Sequence, residues 1–242
     1  MDSLDENIFD KIKEIFGNFN DNLNILEEQI DVELQMDYFE FSKKQKDKFD
    51  PDDVIENRNN LFMEDASIYE KKVLMTQLAT IERVEAYREL ETYATNPDAE
   101  LREWSILALQ ESRMVLETNL LDENQIFIST GLGGKGLKLR YFLVLLYDGG
   151  LKIDKWHRDI IKKEFGYIFS HFNSEVEEVK HYKYYSTLSV LIPLNIPLNN
   201  VINKAIQECN QFGNFLKSDF IITNVRKLNA KEIKNHLKEK DG

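Results

Sequence analysis

The chain has 242 residues, 42% of them hydrophobic and 31% charged, and a formal net charge of -12. That length suffices for one large domain or two small ones with a real core, and the composition excludes a disordered acidic tail. A single cysteine, Cys209, excludes an internal disulfide and a cysteine-built zinc site, and no apolar run approaches the roughly 20 residues of a membrane helix.

The N-terminus, MDSLDENIFDK, opens on acids and lacks the basic and apolar regions of a signal peptide, so a cytoplasmic location is expected. Residues 5–16 place Ile8, Ile12, Ile15 and Phe16 on one helical face, with Gly17 as the stop. Residues 22–45 read two ways: they support a helix through Leu26, while Ile30, Val32, Leu34, Met36 and Tyr38 alternate as a strand would. The polar stretch 43–53 reads as a loop that opens a helix near Asp52 or Asp53, beside Pro51. A long helix is then expected over residues 68–93, carrying Val73, Leu74, Leu78, Ile81, Val84, Tyr87 and Leu90. It stops at Asn96-Pro97, where Asn96 suits the cap and Pro97 the first turn of a second helix over residues 97–120.

The series Leu90, Asn96-Pro97-Asp98, Leu101-Arg102, Ser105 and Leu109 resembles the turn and second helix of a HEAT-type repeat. The likeness covers residues 68–121, in one unit, and an ordinary antiparallel helix pair is the alternative. The resemblance implies that Asp98 and Arg102 interact across the hairpin and that Ser105 allows close helix packing. It further implies a scaffold or binding surface and no catalysis.

Charge and glycine both divide the chain near residue 124. Residues 1–124 hold 31 acids and 13 bases, and residues 125–242 hold 12 acids and 18 bases. Gly17 is the only glycine before Gly131, and six of the ten lie from Gly131 to Gly150. Breaker-poor, Leu- and Glu-rich sequence favours helix. The expected organisation is therefore α+β: an acidic helical domain over 1–124 and a basic α+β domain over 125–242.

In the second half, strands are expected over 125–129 and 137–147, around the turn TGLGGKG. A helix over 153–172, an extended stretch within 175–192, a helix over 198–214, a strand over 219–226 and a helix from Ala230 follow, the last with Asn229 and Glu232 as a capping box. Two strands within 175–192 make the order βαββαβ, which is ferredoxin-like; one long strand makes it βαβαβ.

No catalytic constellation emerges. The glycine loop lacks the Gly and Ser or Thr positions of a phosphate-binding loop and leads into a strand, so it reads as a hairpin turn; Lys135, Lys138 and Arg140 beside it form a candidate anion patch. His157, His171, His181 and His236 show no metal-ligand spacing, and no metal or cofactor is expected. Trp156 is expected to pack and His157 to lie at the surface. Cys209 reads as a buried structural residue. The terminal lysines are interrupted by Glu232 and Glu239, and the acidic half repels polyanions, which weighs against nucleic acid. The expected function is non-enzymatic protein binding through the acidic helical surface, with basic partners; the alternative is a ligand sensor at the anion patch, and an enzyme ranks last.

Overall fold

A computed structural model describes residues 23–46, 48–121, 125–148 and 153–240. The helix expected over 5–16 and the division at 122–124 lie outside the described residues. The described residues form two compact units, one of residues 23–24 and 30–127, the other of residues 25–29 and 128–240. The segment 25–29 thus goes with the C-terminal half, which a single cut at 124 does not provide for. Strands β1 (Leu23–Ile25) and β2 (Ile126–Ile128) pair with each other, and of the three passages of the described chain between the units two fall within these strands and the third follows Gln29.

The first unit contains α1 (Val32–Gln45), α2 (Pro51–Glu56), a 3-10 turn (Arg58–Phe62), α3 (Ile68–Ala79), α4 (Val84–Thr95), a second 3-10 turn (Ala99–Leu101) and α5 (Arg102–Leu121). The alternation at residues 30–38 is helix, not strand. The Asp31 carboxylate accepts from the Glu33 N–H at 2.8 Å, and the residues that α1 buries, Gln35, Tyr38 and Ser42, follow helical spacing. Pro51 begins α2 with Asp50 as its cap, close to the start expected.

Residues 68–93 do not make one helix. The Thr80 hydroxyl donates to the carbonyl of Gln77 at 3.0 Å, the Ile81 N–H turns back to Leu78, and Ile81 is buried in the break. Such back-bonding by a hydroxyl competes with the helical ladder. Nor does Asn96 cap the next helix: its N–H closes α4 on the Tyr93 carbonyl, and the chain enters α5 through the 3-10 turn after Asp98. Helices α3, α4 and α5 pack on one another around Met75, Leu78, Ala86, Leu90, Leu101, Leu107 and Ala108, all nearly inaccessible.

The second unit contains β3 (Gly134–Lys135), β4 (Lys138–Tyr147), α6 (Lys155–His171), β5 (Glu175–His181), β6 (Tyr185–Pro193), α7 (Leu198–Asn210), β7 (Leu216–Thr223) and α8 (Ala230–Lys240). Two strands therefore form within 175–192. The order across the sheet is β7-β4-β6-β5, every neighbouring pair antiparallel, and with the βαββαβ connectivity this is the ferredoxin-like arrangement. Alternate residues of β4 serve opposite faces. Leu143 and Leu145 join Phe165 and Phe169 of α6 and Val201, Ile202 and Ile206 of α7, whereas Phe142, Val144 and Leu146 meet Leu132 and Ile233 of α8. The fold class is α+β.

Asn229 and Glu232 form the expected reciprocal cap at the start of α8, at 3.0 and 2.8 Å. The glycine loop is a hairpin turn: β3 pairs with the start of β4, and Gly136, at φ 57°, is the first of two loop residues, where a II′-type turn needs glycine. Trp156 and His157 exchange the roles expected of them. His157 completes a capping box with Asp154 and lies edge-on to Phe215, whereas Trp156 is 52% exposed. The N3 position of a capping box demands a group that reaches back to the cap, which imidazole can do and indole cannot here.

Candidate binding cleft in the helical unit

The start of α3 builds a concave surface of the helical unit. Ser67 caps the helix, accepting from the Glu70 N–H at 3.2 Å while the Glu70 carboxylate takes the Ser67 N–H at 2.8 Å. The Ser67 hydroxyl, which donates to the Glu70 carboxylate at 2.7 Å, and then the Ser67 N–H hold that carboxyl below its usual range, so it stays ionised at the helix N-terminus. The reciprocal cap fixes the angle at which residues 63–67 enter the helix. Between that segment and α3 lies an open cleft of about 460 Å³. Val73 and Leu74 contribute its apolar wall, Met63 and Tyr69 its rim, and Asp65 and Glu70 its charge. Met63 is 49% and Tyr69 63% exposed, and the Tyr69 ring is braced at its edge by Phe41, centroids 6.0 Å apart.

The one cation lining the cleft is already engaged. Lys71 is nearly inaccessible, and its Nζ donates to Asp98 at 2.7 Å; the Tyr93 hydroxyl donates to the same oxygen at 2.7 Å. The Lys71 ammonium, followed by the Tyr93 hydroxyl, holds the Asp98 carboxyl below its usual range, and burial pushes the Tyr93 phenol up. With Lys71 neutralised, Asp65 and Glu70 leave the cleft acidic. A surface of this kind suits a cationic segment carrying one apolar anchor.

Asp98 therefore works, but not with the partner the repeat resemblance implied. Arg102 is exposed and has no ion pair among the described residues; the Asp98 carboxylate is engaged by Lys71 and Tyr93 instead. Ser105 is buried, its hydroxyl donating to the Arg102 carbonyl at 2.7 Å, which leaves a small side chain at the α5 contact.

Lys135, Lys138 and Arg140 do come together, though not as a free anion site. Lys138 lies 2.6 Å and Lys135 3.4 Å from Glu175, and Arg140 makes a bidentate pair with Glu177 at 2.6 and 2.9 Å. Arg140 also donates to the Leu132 carbonyl at 2.9 Å and the Glu27 carbonyl at 3.3 Å. Glu27 in turn accepts from the Gly136 N–H at 2.8 Å. The cations thus fasten β3, β4, β5 and the segment 25–29 to one another.

Cys209 is fully buried, and burial, with Glu164 and Glu208 nearby, pushes its thiol up to about 12, the opposite of a nucleophile's requirement. Among the described residues no group of His, Cys, Asp and Glu has metal-binding geometry. Two polar networks escape sequence reasoning altogether. Glu111 of α5 accepts from Tyr38 at 2.6 Å and from Ser42 at 2.9 Å, and burial pushes its carboxyl up. Ser186 bonds both Tyr147, at 2.7 Å, and His181, at 2.8 Å, but Ser186 and Tyr147 are out of reach of any substrate. Their partners lie up to 73 residues apart, and no local signal announces them.

No family model matches the chain, and no curated protein does. Among solved structures, the chain is similar to a protein of Deinococcus radiodurans provisionally named a transposase, at 13% identity and a TM-score of 0.37, over 44% of this chain and 95% of that one. A likeness of that size carries no functional argument.

Proposed function

We propose that the protein is a non-enzymatic interaction module whose helical unit takes a basic segment of a protein partner. The cleft bounded by Met63, Tyr69, Val73 and Leu74 carries this reading, because it joins an apolar wall to uncompensated acids. Exposed aromatic and methionine side chains beside a concavity are typical anchors of protein recognition. The surrounding acids supply encounter rate and partner choice more than affinity.

A random peptide library displayed on phage and selected on the full chain tests the reading. Enriched peptides should pair Lys or Arg with one aromatic or aliphatic anchor, and their affinity should fall with salt. Tyr69→Ala and Asp65→Lys should each abolish selection while the fold persists. Enrichment of acidic peptides, or binding indifferent to both substitutions, would remove the cleft from consideration.

A further inference from the structure

Helix α6 (Lys155–His171) presents a surface of a different kind. Its inner face, Ile160, Ile161, Phe165, Ile168 and Phe169, is buried against the sheet and α7. Its outer face carries Lys155, Lys162 and Lys163, with Arg158 on the flank toward the sheet, all four exposed and without a carboxylate partner among the described residues. Three acids stand among them: the exposed cap Asp154 directly before Lys155, Asp159, also exposed, and Glu164, half-buried directly after Lys163. Elsewhere in the same unit Lys135, Lys138, Arg140, Lys180, Arg226 and Lys227 have carboxylate partners, while Lys183, Lys204, Lys217, Lys231 and Lys234 have none among the described residues; what α6 adds is four such cations within nine residues of one helix.

Aromatic rings stand among these charges. Trp156 is 52% and Tyr167 60% exposed, and Phe212, itself 49% exposed, lies edge-on to Trp156 with centroids 6.4 Å apart. Between the cations and Tyr167 sits Gly166, in mid-helix and exposed, where a Cβ would meet nothing within 4 Å. Packing does not require glycine there, and it costs the helix about 1 kcal/mol relative to alanine. What glycine provides is a gap through which a flat or bulky ligand can approach the backbone between Lys162, Lys163 and Tyr167.

We propose that this face of α6 binds single-stranded nucleic acid, with Lys155, Arg158, Lys162 and Lys163 on phosphates and bases stacked on Trp156 and Tyr167. Lysines outnumber arginine, which suits point-charge contact with phosphate and is unlike the lysine-poor centre of a protein interface. Exposed rings need unpaired bases, since a duplex hides its base faces, and stacking on aromatics is the sequence-tolerant way to hold a single strand. A lipid surface would favour rings gathered at one depth, whereas Trp156 and Tyr167 are separated by about 16 Å of helix with Arg158, Lys162 and Lys163 between them. Repulsion from the acidic half, which argues against polyanions from sequence, weakens as salt is added.

The full chain titrated with fluorescent oligo(dT) and oligo(U) tests this. Trp156 is the reporter, the other tryptophan, Trp104, being buried. Binding should quench Trp156 and raise oligonucleotide anisotropy. Four phosphates neutralised on a single strand predict a slope of log K against log salt of about -2.8, or roughly fifty-fold weaker binding from 50 to 200 mM. Lys162→Ala with Lys163→Ala should bring the slope to about -1.4, and Trp156→Ala should weaken binding at least about five-fold. Gly166→Leu should weaken binding while raising the melting temperature, which separates loss of the site from loss of fold. The proposal is overturned by no binding at 50 mM salt, by binding that ignores these substitutions, or by tighter binding of polyglutamate or phosphatidylserine vesicles than of either oligonucleotide.

Discussion

Single polar residues in the helical unit are held by partners distant in sequence, and removing one partner exposes the cost of the other. Asp98 neutralises Lys71, whose side chain is 6% exposed. Asp98→Ala strands that ammonium, and we expect a loss of about 2 kcal/mol, below the range for a wholly buried pair because the Asp98 side is partly solvated. Arg102→Ala, which removes nothing from the carboxylate, should stay within about 0.5 kcal/mol. Urea melts of the two variants check the assignment, and equal losses would restore the pair implied by the repeat resemblance. The depressed Asp98 carboxyl adds a pH signature. Its stabilisation is present above the unfolded value near 4 and is lost as pH falls through the lower folded value, so the penalty of Asp98→Asn should fade below about pH 4. Glu111 has the opposite sign, since burial raises its carboxyl. Its ionisation makes folding less favourable as pH rises from the unfolded value through the folded one. Glu111→Gln should flatten that slope and keep acceptors for Tyr38 and Ser42, while Glu111→Ala should lose about 2 kcal/mol by orphaning both hydroxyls. Melts from pH 4 to 8 distinguish them.

Elements were legible where local chemistry decides them. The capping box of Asn229 and Glu232 and the helices begun at Pro51 and after Asp154 rest on side chain to backbone bonds within a few residues, and the glycine hairpin on the left-handed backbone of Gly136. Elements decided by distant contacts were not. The alternation at residues 30–38 fits a strand as well as a helix, and what selects α1 is Tyr38 and Ser42 reaching Glu111 some 70 positions on. The break between α3 and α4 has no glycine or proline; a threonine hydroxyl and the burial of Ile81 make it. The turn between β5 and β6 consists of Tyr182, Lys183 and Tyr184, all acceptable in a strand, so only the pairing of His181 with Ser186 divides the stretch. The cleft was hidden for the same reason, because its acidity depends on Lys71 being taken by a residue 27 positions away. At this scale one element stands out as improvable. Gly166→Ala in α6 meets no neighbour and has no positive φ to preserve, so it should stabilise by about 0.5 to 1 kcal/mol, read as a higher melting temperature.

At the scale of the whole chain, the two units share their polypeptide in an interleaved way, because the segment 25–29 precedes one unit in sequence and belongs to the other. Its carbonyls at Glu27 and Glu28 lie where a Cβ on Gly133 would stand, and Gly133 also holds φ at 66°. Gly133→Ala must therefore either displace the segment or strain the loop, and a loss of more than about 2 kcal/mol is expected from the sum of clash and left-handed backbone. The sequence supplies its own reporters for where that loss is felt. Trp104 lies in the helical unit and Trp156 in the α+β unit, and they are the only two tryptophans. In a chain of two units, one transition midpoint is not guaranteed. Urea unfolding of Gly133→Ala, followed once with Trp104→Phe and once with Trp156→Phe, should move the transition seen by Trp156 and leave the one seen by Trp104. A common shift in both would mean that the units unfold as one cooperative body. The charge division of the chain would then describe a single folding unit with two surfaces, and a fragment starting at residue 125 should fail to fold without the residues 25–29 that complete it.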